Sequence, residues 1–240
     1  MKSYTHVFKK AVLVIAASLL LGGSALSATQ KEAVCPNNLG SPIPNFCEVK
    51  PNVLWRGSQP DKEAAAWLIN KGVKTIVNLE LLHDDMDKIS QANIPDTGTY
   101  KIDYFRVKTW EPLYAVARST ADNDVIHFLA IMSQAKQPIY VHCRAGENRT
   151  GVMVAAYKII LEGKMSTDEM NAVLDEMQSY KGFWSDATTK YIKGLSLRRN
   201  EIIKKVKAFK LEHPTQIICN NRKCVSNPQH FGVVQLCLDK

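Results

Sequence analysis

One segment of this 240-residue chain places a nucleophilic and a cationic side chain at a short, fixed spacing. His142 and Cys143 end an apolar run, and five residues separate Cys143 from Arg149. Small and polar residues fill that interval, which favours a tight loop between a buried strand and a helix. The backbone N–H groups of such a loop and of the first helical turn point inward, so we expect the segment to bind an anion.

The side chains of the segment suit phosphate chemistry. A thiolate at Cys143 would lie on the floor of the loop, where the helix N-terminus and the backbone donors favour negative charge. The planar guanidinium of Arg149 can hold two phosphate oxygens at once. Gly146 permits a sharp turn, and the Thr150 hydroxyl can donate to the sulfur. Taken singly, each residue could be structural, but their combination at this spacing favours a catalytic loop.

The pattern His142-Cys143-x5-Arg149-Thr150-Gly151 resembles the signature of cysteine-dependent protein tyrosine phosphatases. The Cys loop and two further runs, at 53–60 and 72–79, look like the compact dual-specificity branch of that superfamily, which has exported bacterial members. The likeness covers about residues 50–185. It implies a hydrolase for phosphomonoesters with a phosphate-binding loop formed by Arg144, Ala145, Gly146, Glu147, Asn148 and Arg149.

The resemblance also implies a role for each residue of the signature. Cys143 would attack phosphorus in line and form a cysteinyl-phosphate, while Arg149 and the loop amides hold the equatorial oxygens. Thr150 would stabilise the thiolate as it leaves again. His142 would orient the loop without transferring protons. Water would then hydrolyse the intermediate, and neither a metal nor another cofactor is required.

The general acid for the leaving oxygen departs from the family's usual pattern. The family usually places an Asp on a loop upstream of the Cys loop, whereas residues 107–112 offer Glu111 as their only carboxylate. Glu111 is therefore our first candidate. Asp103 is the alternative, although a side chain within a strand cannot close over a substrate. Asp122 and Asp124 are expected to cap a helix instead.

The elements around these residues alternate between strands and helices. This order predicts an α/β fold, with a central, mostly parallel sheet flanked by helices, similar to that of protein tyrosine phosphatases. Sites on such sheets lie at the carboxyl ends of the strands. The expected strands cover 53–56, 73–79, 100–107 and 139–141, and the expected helices 61–71, 150–161, 166–177 and 186–210, with one more that ends before Pro138.

The chain is predicted to have four parts: a signal peptide (1–28), an irregular N-terminal arm (29–52), a phosphatase domain (53–210) and a Cys-containing tail (211–240). Three lysines precede an apolar run of eleven residues, and small residues follow it. These features predict export, with a periplasmic or secreted product. A retained membrane anchor is the alternative, but the apolar run is short for a bilayer.

Export would place the six cysteines in an oxidising compartment. Cys35 and Cys47 bracket a short stretch of the arm and are predicted to form one disulfide. Two of Cys219, Cys224 and Cys237 are expected to form a second one, with Cys219–Cys224 the first choice on proximity. A metal site at that pair is disfavoured because no second pair of ligands has matching spacing. The cysteine of the loop is expected to stay free.

Composition and charge restrict the partners. An apolar fraction of 45% and a charged fraction of 22% exclude a disordered, collagen-like or coiled-coil chain. Loss of the signal peptide, with its three lysines and no acids, would lower the net charge from +8 to +5. We therefore expect a phosphorylated protein or a small phosphomonoester as partner and no nucleic acid. The basic helix at 186–210 gives only weak support for contact with a membrane surface.

Three alternatives to a protein phosphatase stay open. An inositol phosphate or phosphoinositide phosphatase would be expected to carry Lys in the Cys loop, but this loop has Arg144, partly offset by Glu147. A phosphoanion-binding module without turnover would keep the loop and lack a working acid. A sulfurtransferase also uses a loop thiolate, but the Arg149-Thr150-Gly151 end of the loop fits phosphate better.

Overall fold

The computed structural model describes residues 35, 37–94, 98–180, 182, 185–220 and 223–227. All of them belong to one structural unit. The predicted signal peptide (1–28) and most of the first half of the arm lie outside the described residues. So does the end of the tail from 228 onward, including Cys237.

One sheet carries the fold. Its strands are β1 (Cys47–Lys50), β2 (Leu54–Ser58), β3 (Thr75–Asn78), β4 (Tyr100–Arg106), β5 (Ile139–Cys143), β6 (Thr215–Asn220) and β7 (Lys223–Asn227). Their spatial order is β1-β2-β5-β3-β4-β6-β7. The four central strands run parallel, and the outer strands pair antiparallel. The α/β fold with a parallel centre is thereby confirmed.

Helices cover both faces of the sheet. Because side chains alternate along a strand, Val77 and Val141 pack on one face with the longer helices, while Ile76 and Tyr140 pack on the other with the first two helices. No helix among the described residues is long and apolar enough to cross a bilayer. The helices are α1 (Lys62–Asn70), α2 (Met86–Ser90), α3 (Leu113–Val116), α4 (Arg118–Gln134), α5 (Asn148–Ile160), α6 (Thr167–Ser179), α7 (Asp186–Leu197) and α8 (Arg199–Ala208).

Local capping signals explain where some helices begin. Asp61 caps α1 by accepting a hydrogen bond from the Ala64 N–H at 2.8 Å. Ser166 and Glu169 form a capping box at α6, where the sequence pattern Ser-x-x-Glu predicts one. The predicted caps of α4 are wrong, because that helix begins at Arg118 and contains Asp122 and Asp124. Asp122 instead accepts hydrogen bonds from two side chains of the α7 region, Tyr191 and Arg198.

Three other predicted elements differ in the structure. The single basic helix expected at 186–210 is divided at Arg198 into α7 and α8. The arm is not irregular throughout, since β1 pairs antiparallel with β2. Residues 215–227 of the tail also join the sheet, because β6 pairs with β4 and buries Ile217 and Cys219 against it.

Candidate active site

The Cys loop lies where the sequence places it, between β5 and α5. Cys143 is the last residue of β5, in register with Ser58 of β2, and is 3% exposed. It is the only free cysteine among the described residues. The Gln59 N–H donates to the Arg144 carbonyl oxygen at 3.1 Å, so the end of β2 supports the loop. The thiol thus lies on the floor of a loop at the carboxyl ends of parallel strands.

Gly146 lets the loop approach β2 closely. Its φ of +72° lies in the left-handed region, which residues with a Cβ rarely adopt. A Cβ at this position would lie 2.3 Å from the carbonyl carbon of Gly57 and 2.6 Å from the nitrogen of Ser58. Both the conformation and the contact therefore require glycine.

Two carboxylates hold Arg149. Its Nη2 donates to Oε1 of Glu80 at 2.8 Å, and its Nε lies 3.5 Å from Oε1 of Glu111. The Glu80 side chain is buried, whereas the Glu111 side chain is 48% exposed. The structure thus brings the predicted acid candidate to the predicted phosphate-binding arginine. It adds Glu80, which the sequence reasoning missed although it follows β3 at the carboxyl edge of the sheet.

Arg106 fixes the segment that carries Glu80. Its Nη2 donates to the carbonyl oxygens of Glu80 and His83, at 3.1 and 2.9 Å. Arg106 is the last residue of β4, next to β3 in the sheet. The position of Glu80, and through it that of Arg149, therefore depends on two neighbouring strands.

Asp103 lies away from the site. It is opposite Thr75 of β3, which is itself opposite Ile139, four residues before Cys143 along β5. At about 3.3 Å per residue, Asp103 lies about 13 Å from Cys143 along the strand direction, toward the opposite edge of the sheet. Its carboxylate pairs with Lys136 at 3.2 Å. This geometry does not support the alternative assignment of Asp103 as general acid.

His142 forms a fully buried pair with Asp85. The His142 Nε2 lies 2.8 Å from Oδ2 of Asp85, and neither side chain is exposed. Asp85 also accepts hydrogen bonds from Gln59 at 2.8 Å and Asn78 at 3.0 Å. Burial acts to raise the pKa of Asp85, but the His142 charge and the hydrogen bonds outweigh it and hold that pKa below its usual value. Sequence reasoning missed Asp85.

The remaining loop residues have varied surroundings. Thr150 is fully buried, and its hydroxyl finds no hydrogen-bond partner among the described residues, so the predicted bond to the sulfur is not formed here. Arg144 is exposed. Asn45 donates to the Ala145 carbonyl oxygen at 2.9 Å and reaches Glu147 Oε1 at 3.4 Å. The arm therefore contacts the Cys loop directly.

Two disulfides lie on either side of residues 53–210 in the sequence. Cys35 is joined to Cys47 in the arm, and Cys219 to Cys224 in the hairpin of β6 and β7. These are the pairs that the spacing favours, and Cys143 belongs to neither. No group of three His, Cys, Asp or Glu side chains among the described residues is arranged to bind a metal.

A cavity of about 200 Å³ adjoins the Cys loop. It lies between the segment that carries Glu111, the first turns of α5 and the start of α7. Such a cavity beside the acid candidate gives room for the group that bears a phosphate. Its lining residues are Glu111, Pro112, Tyr114, Ala115, Asn148, Val152, Ser185 and Thr188.

Arg56 is a further residue of the site that sequence reasoning did not single out. Its side chain is fully buried in β2. Nη2 donates to the Gly146 carbonyl oxygen at 2.5 Å, and the guanidinium lies 3.5 Å from the centre of the Tyr180 ring. A second arginine therefore supports the Cys loop from within the protein.

Comparison with known proteins identifies the family. A family model described as "DSP-PTPase phosphatase fused to NAD+ Kinase" matches residues 41–192. The dual specificity protein phosphatase TpbA of Pseudomonas aeruginosa is 30% identical over 176 residues, which cover 69% of this chain and 70% of TpbA. The chain belongs to the dual-specificity phosphatase family. The family match begins at residue 41, so part of the arm belongs to the phosphatase domain.

Two further matches cover less of the partner protein or have a lower sequence identity. This chain is 32% identical over 108 residues to the probable chloroplastic NAD kinase 2 of Oryza sativa. That match covers 44% of this chain but only 10% of the rice protein. A crystal structure of P. aeruginosa TpbA aligns at 24% identity with a TM-score of 0.47, over 66% of this chain and 91% of that one.

Proposed function

We propose that this chain hydrolyses phosphomonoesters as a protein tyrosine or dual-specificity phosphatase, through a cysteinyl-phosphate intermediate. The observation that carries the proposal is the arrangement of the Cys loop. Cys143 lies on its floor, and Arg149 at its end is aligned by the buried Glu80. Membership of the dual-specificity phosphatase family supports the same chemistry.

In the first step the Cys143 thiolate attacks phosphorus. The S–P bond forms as the bond from phosphorus to the leaving oxygen breaks, and that oxygen takes a proton from Glu111. Arg149 and the loop N–H groups hold the three equatorial oxygens. The proximity of Glu111 to Arg149, at 3.5 Å, supports the acid role.

In the second step water attacks the phosphorus of the intermediate. The S–P bond breaks, the thiolate leaves, and the Glu111 carboxylate takes the proton that water loses. The Thr150 hydroxyl, which is buried at the first turn of α5 and has no other partner among the described residues, would turn to donate to the leaving thiolate. Arg144, Ala145, Gly146, Glu147 and Asn148 complete the phosphate-binding loop.

The proposed substrate is a phosphorylated protein, or a small phosphomonoester in its place. An inositol phosphate is a weaker candidate because Arg144 is the only loop cation besides Arg149, and Glu147 lies in the same loop. Rates with a panel of tyrosine, serine and threonine phosphopeptides, compared with those for inositol phosphates, decide between the two. Faster release of phosphate from the inositol panel would contradict the proposal.

We also propose that the chain is exported to a periplasmic or extracellular compartment. The pattern at 1–28 is that of a signal peptide. The disulfides Cys35–Cys47 and Cys219–Cys224 support this, because such bonds persist mainly in oxidising compartments. Fractionation of cells that express the full chain, with N-terminal sequencing of the product, tests the proposal. An intact N-terminus in the cytoplasmic fraction would contradict it.

The covalent mechanism is tested with Cys143→Ser. This variant should lose turnover of an aryl phosphate but keep phosphate binding, because Ser forms no alkoxide at neutral pH while the loop amides remain. Acid-quenched wild-type enzyme should carry a phosphoryl group on the Cys143 peptide. Turnover by Cys143→Ser comparable to wild type would contradict the mechanism.

A further inference from the structure

Arg56 is an unusual residue to find fully buried. Among the described residues its guanidinium makes one hydrogen bond, from Nη2 to the Gly146 carbonyl oxygen, and it packs on the Tyr180 ring. Its Nε and Nη1 find no hydrogen-bond partner among the described residues. A buried guanidinium normally pairs with a carboxylate, because an uncompensated charge is costly in the interior. Arg56 therefore needs a negative charge that its hydrogen bonds do not supply.

The nearby carboxylate is already engaged. Glu176 lines the same small cavity as Arg56, but its Oε2 is in close contact with Nζ of Lys158. Glu176 therefore has a cation of its own on α5.

The Cys143 sulfur lies on the same side of the sheet as Arg56. Arg56 is opposite Val141 in the parallel pair of β2 and β5, two residues before Cys143. Val141 and Cys143 share one face, toward α5, and the cavity beside Arg56 is lined by α5 residues. With strands about 4.8 Å apart and about 3.3 Å per residue, the Cα atoms of Arg56 and Cys143 are about 8 Å apart. The bond to Gly146 shows that the guanidinium extends toward the loop.

The other cationic or ionisable side chains around Cys143 have acidic partners. His142 is matched by Asp85, and Arg149 by Glu80 and Glu111. Among the described residues around the loop, Arg56 is the buried cation without a bonded carboxylate.

We propose that Arg56 is a positioning residue that stabilises the Cys143 thiolate from beneath the Cys loop and fixes the loop through Gly146. The catalytic use of this thiolate, as the nucleophile that takes the phosphoryl group, rests on the proposed phosphatase function. Arginine suits the position because it stays charged when buried and its planar group stacks on an aromatic ring.

The test is the pH dependence of Cys143 alkylation by iodoacetamide in the full chain, followed by mass spectrometry of the Cys143 peptide. Arg56→Met removes the charge and keeps the volume. It should move the alkylation midpoint upward by about half a pH unit or more. An opposite charge within about 4–6 Å shifts a pKa by about one to three units, and we expect a smaller effect here because the Cα atoms of Arg56 and Cys143 are about 8 Å apart. Arg56→Lys should stay nearer to wild type. An unchanged midpoint in folded Arg56→Met would overturn the proposal.

Glu176→Gln is the matched control. It removes a negative charge from the same cavity and leaves Lys158 without its partner, so it should not raise the midpoint. If Arg56 served only to balance Glu176, Arg56→Met would lower the melting temperature without moving the midpoint. A rise of the midpoint in Glu176→Gln as large as that in Arg56→Met would also overturn the proposal.

A second measurement, the melting temperature of Cys143→Ser at two pH values, tests the proposal without changing Arg56 and so does not depend on the folding of Arg56→Met. Cys143→Ser should lower the melting temperature relative to wild type more at pH 8 than at pH 5, because it removes the thiolate that balances Arg56. Equal changes at the two pH values would overturn the proposal. Alkylation needs no turnover, so an active enzyme with an unchanged midpoint contradicts this inference alone. An inactive chain with the expected shift contradicts the proposed function alone.

Discussion

Replacement of Gly146 with alanine should damage the Cys loop in two separable ways. At a φ of +72°, a residue with a Cβ pays about 1–2 kcal/mol. The new Cβ would also meet the Gly57 carbonyl carbon at 2.3 Å and the Ser58 nitrogen at 2.6 Å. Because these are backbone atoms of β2, either the loop or the strand must move, and overpacking of this kind costs about 1–3 kcal/mol. The expected loss of unfolding free energy is about 2–5 kcal/mol.

Gly72→Ala is the matched control. Gly72 has a φ of +88°, but no atom lies within 4 Å of the position of its Cβ. It should lose only the conformational part, about 1–2 kcal/mol. At about 2–4 °C per kcal/mol, the melting temperature should fall by about 2–8 °C in Gly72→Ala and by about 4–20 °C in Gly146→Ala. Differential scanning calorimetry measures both.

Turnover of an aryl phosphate separates the two variants further. Gly146→Ala should lose most of its activity, because a displaced loop no longer aims its N–H groups at phosphate and no longer presents its carbonyl oxygen to Arg56. Gly72→Ala should keep its activity, since Gly72 follows α1 away from the loop. Equal melting temperatures and equal activities would refute the reasoning, because they would mean that the contact with β2 imposes no constraint.

Three other predictions concern the acid, the arginine and the cysteines. Glu111→Gln should slow esters with poor leaving groups far more than activated aryl esters and should remove the basic limb of the pH–rate profile; equal slowing on both substrates would exclude Glu111 as the acid. Arg149→Lys should be severely impaired, because a point charge does not reproduce the bidentate contact of the guanidinium. Arg144→Lys should retain most activity, because the Arg144 side chain is exposed and the substitution keeps both its charge and the backbone N–H of the loop; similar rates for the two variants would contradict this. Non-reducing peptide mapping of active enzyme should give Cys35–Cys47 and Cys219–Cys224 with Cys143 free, and a bridge from Cys143 to the arm in fully active protein would contradict its role.

The sequence predicts the Cys loop because its signals are local. A β-branched run, a glycine and an apolar helix follow one another within about twenty residues, so periodicity and turn chemistry are sufficient. The helix caps at Asp61 and Ser166 depend on equally local signals, since each side chain accepts a hydrogen bond from the backbone N–H three positions later. The caps assigned to α4 failed because that helix begins at Arg118 without a side-chain cap.

The residues that support the loop could not be read from the sequence in the same way. Glu80 is 69 positions from Arg149, and Arg56 is 90 positions from Gly146. These pairs meet only because β2, β5 and β3 are neighbours in the sheet. One signal was available for Glu80, since polar residues that end parallel strands gather at the same edge. Arg56 within an apolar strand gave no such signal until its burial was known.

The two carboxylates on Arg149 differ in a way that matters for catalysis. The Glu80 side chain is 6% exposed and its segment is fixed by Arg106, so it can align Arg149 whether or not phosphate is bound. The Glu111 side chain is 48% exposed, and its contact with Nε is the longer one, at 3.5 Å. An incoming phosphate held by Nε and by the second N–H of Nη2 would therefore displace Glu111 and leave Glu80 in place. The displaced Glu111 would then be free to turn to the leaving oxygen, so its position beside Arg149 keeps the acid close to its point of action.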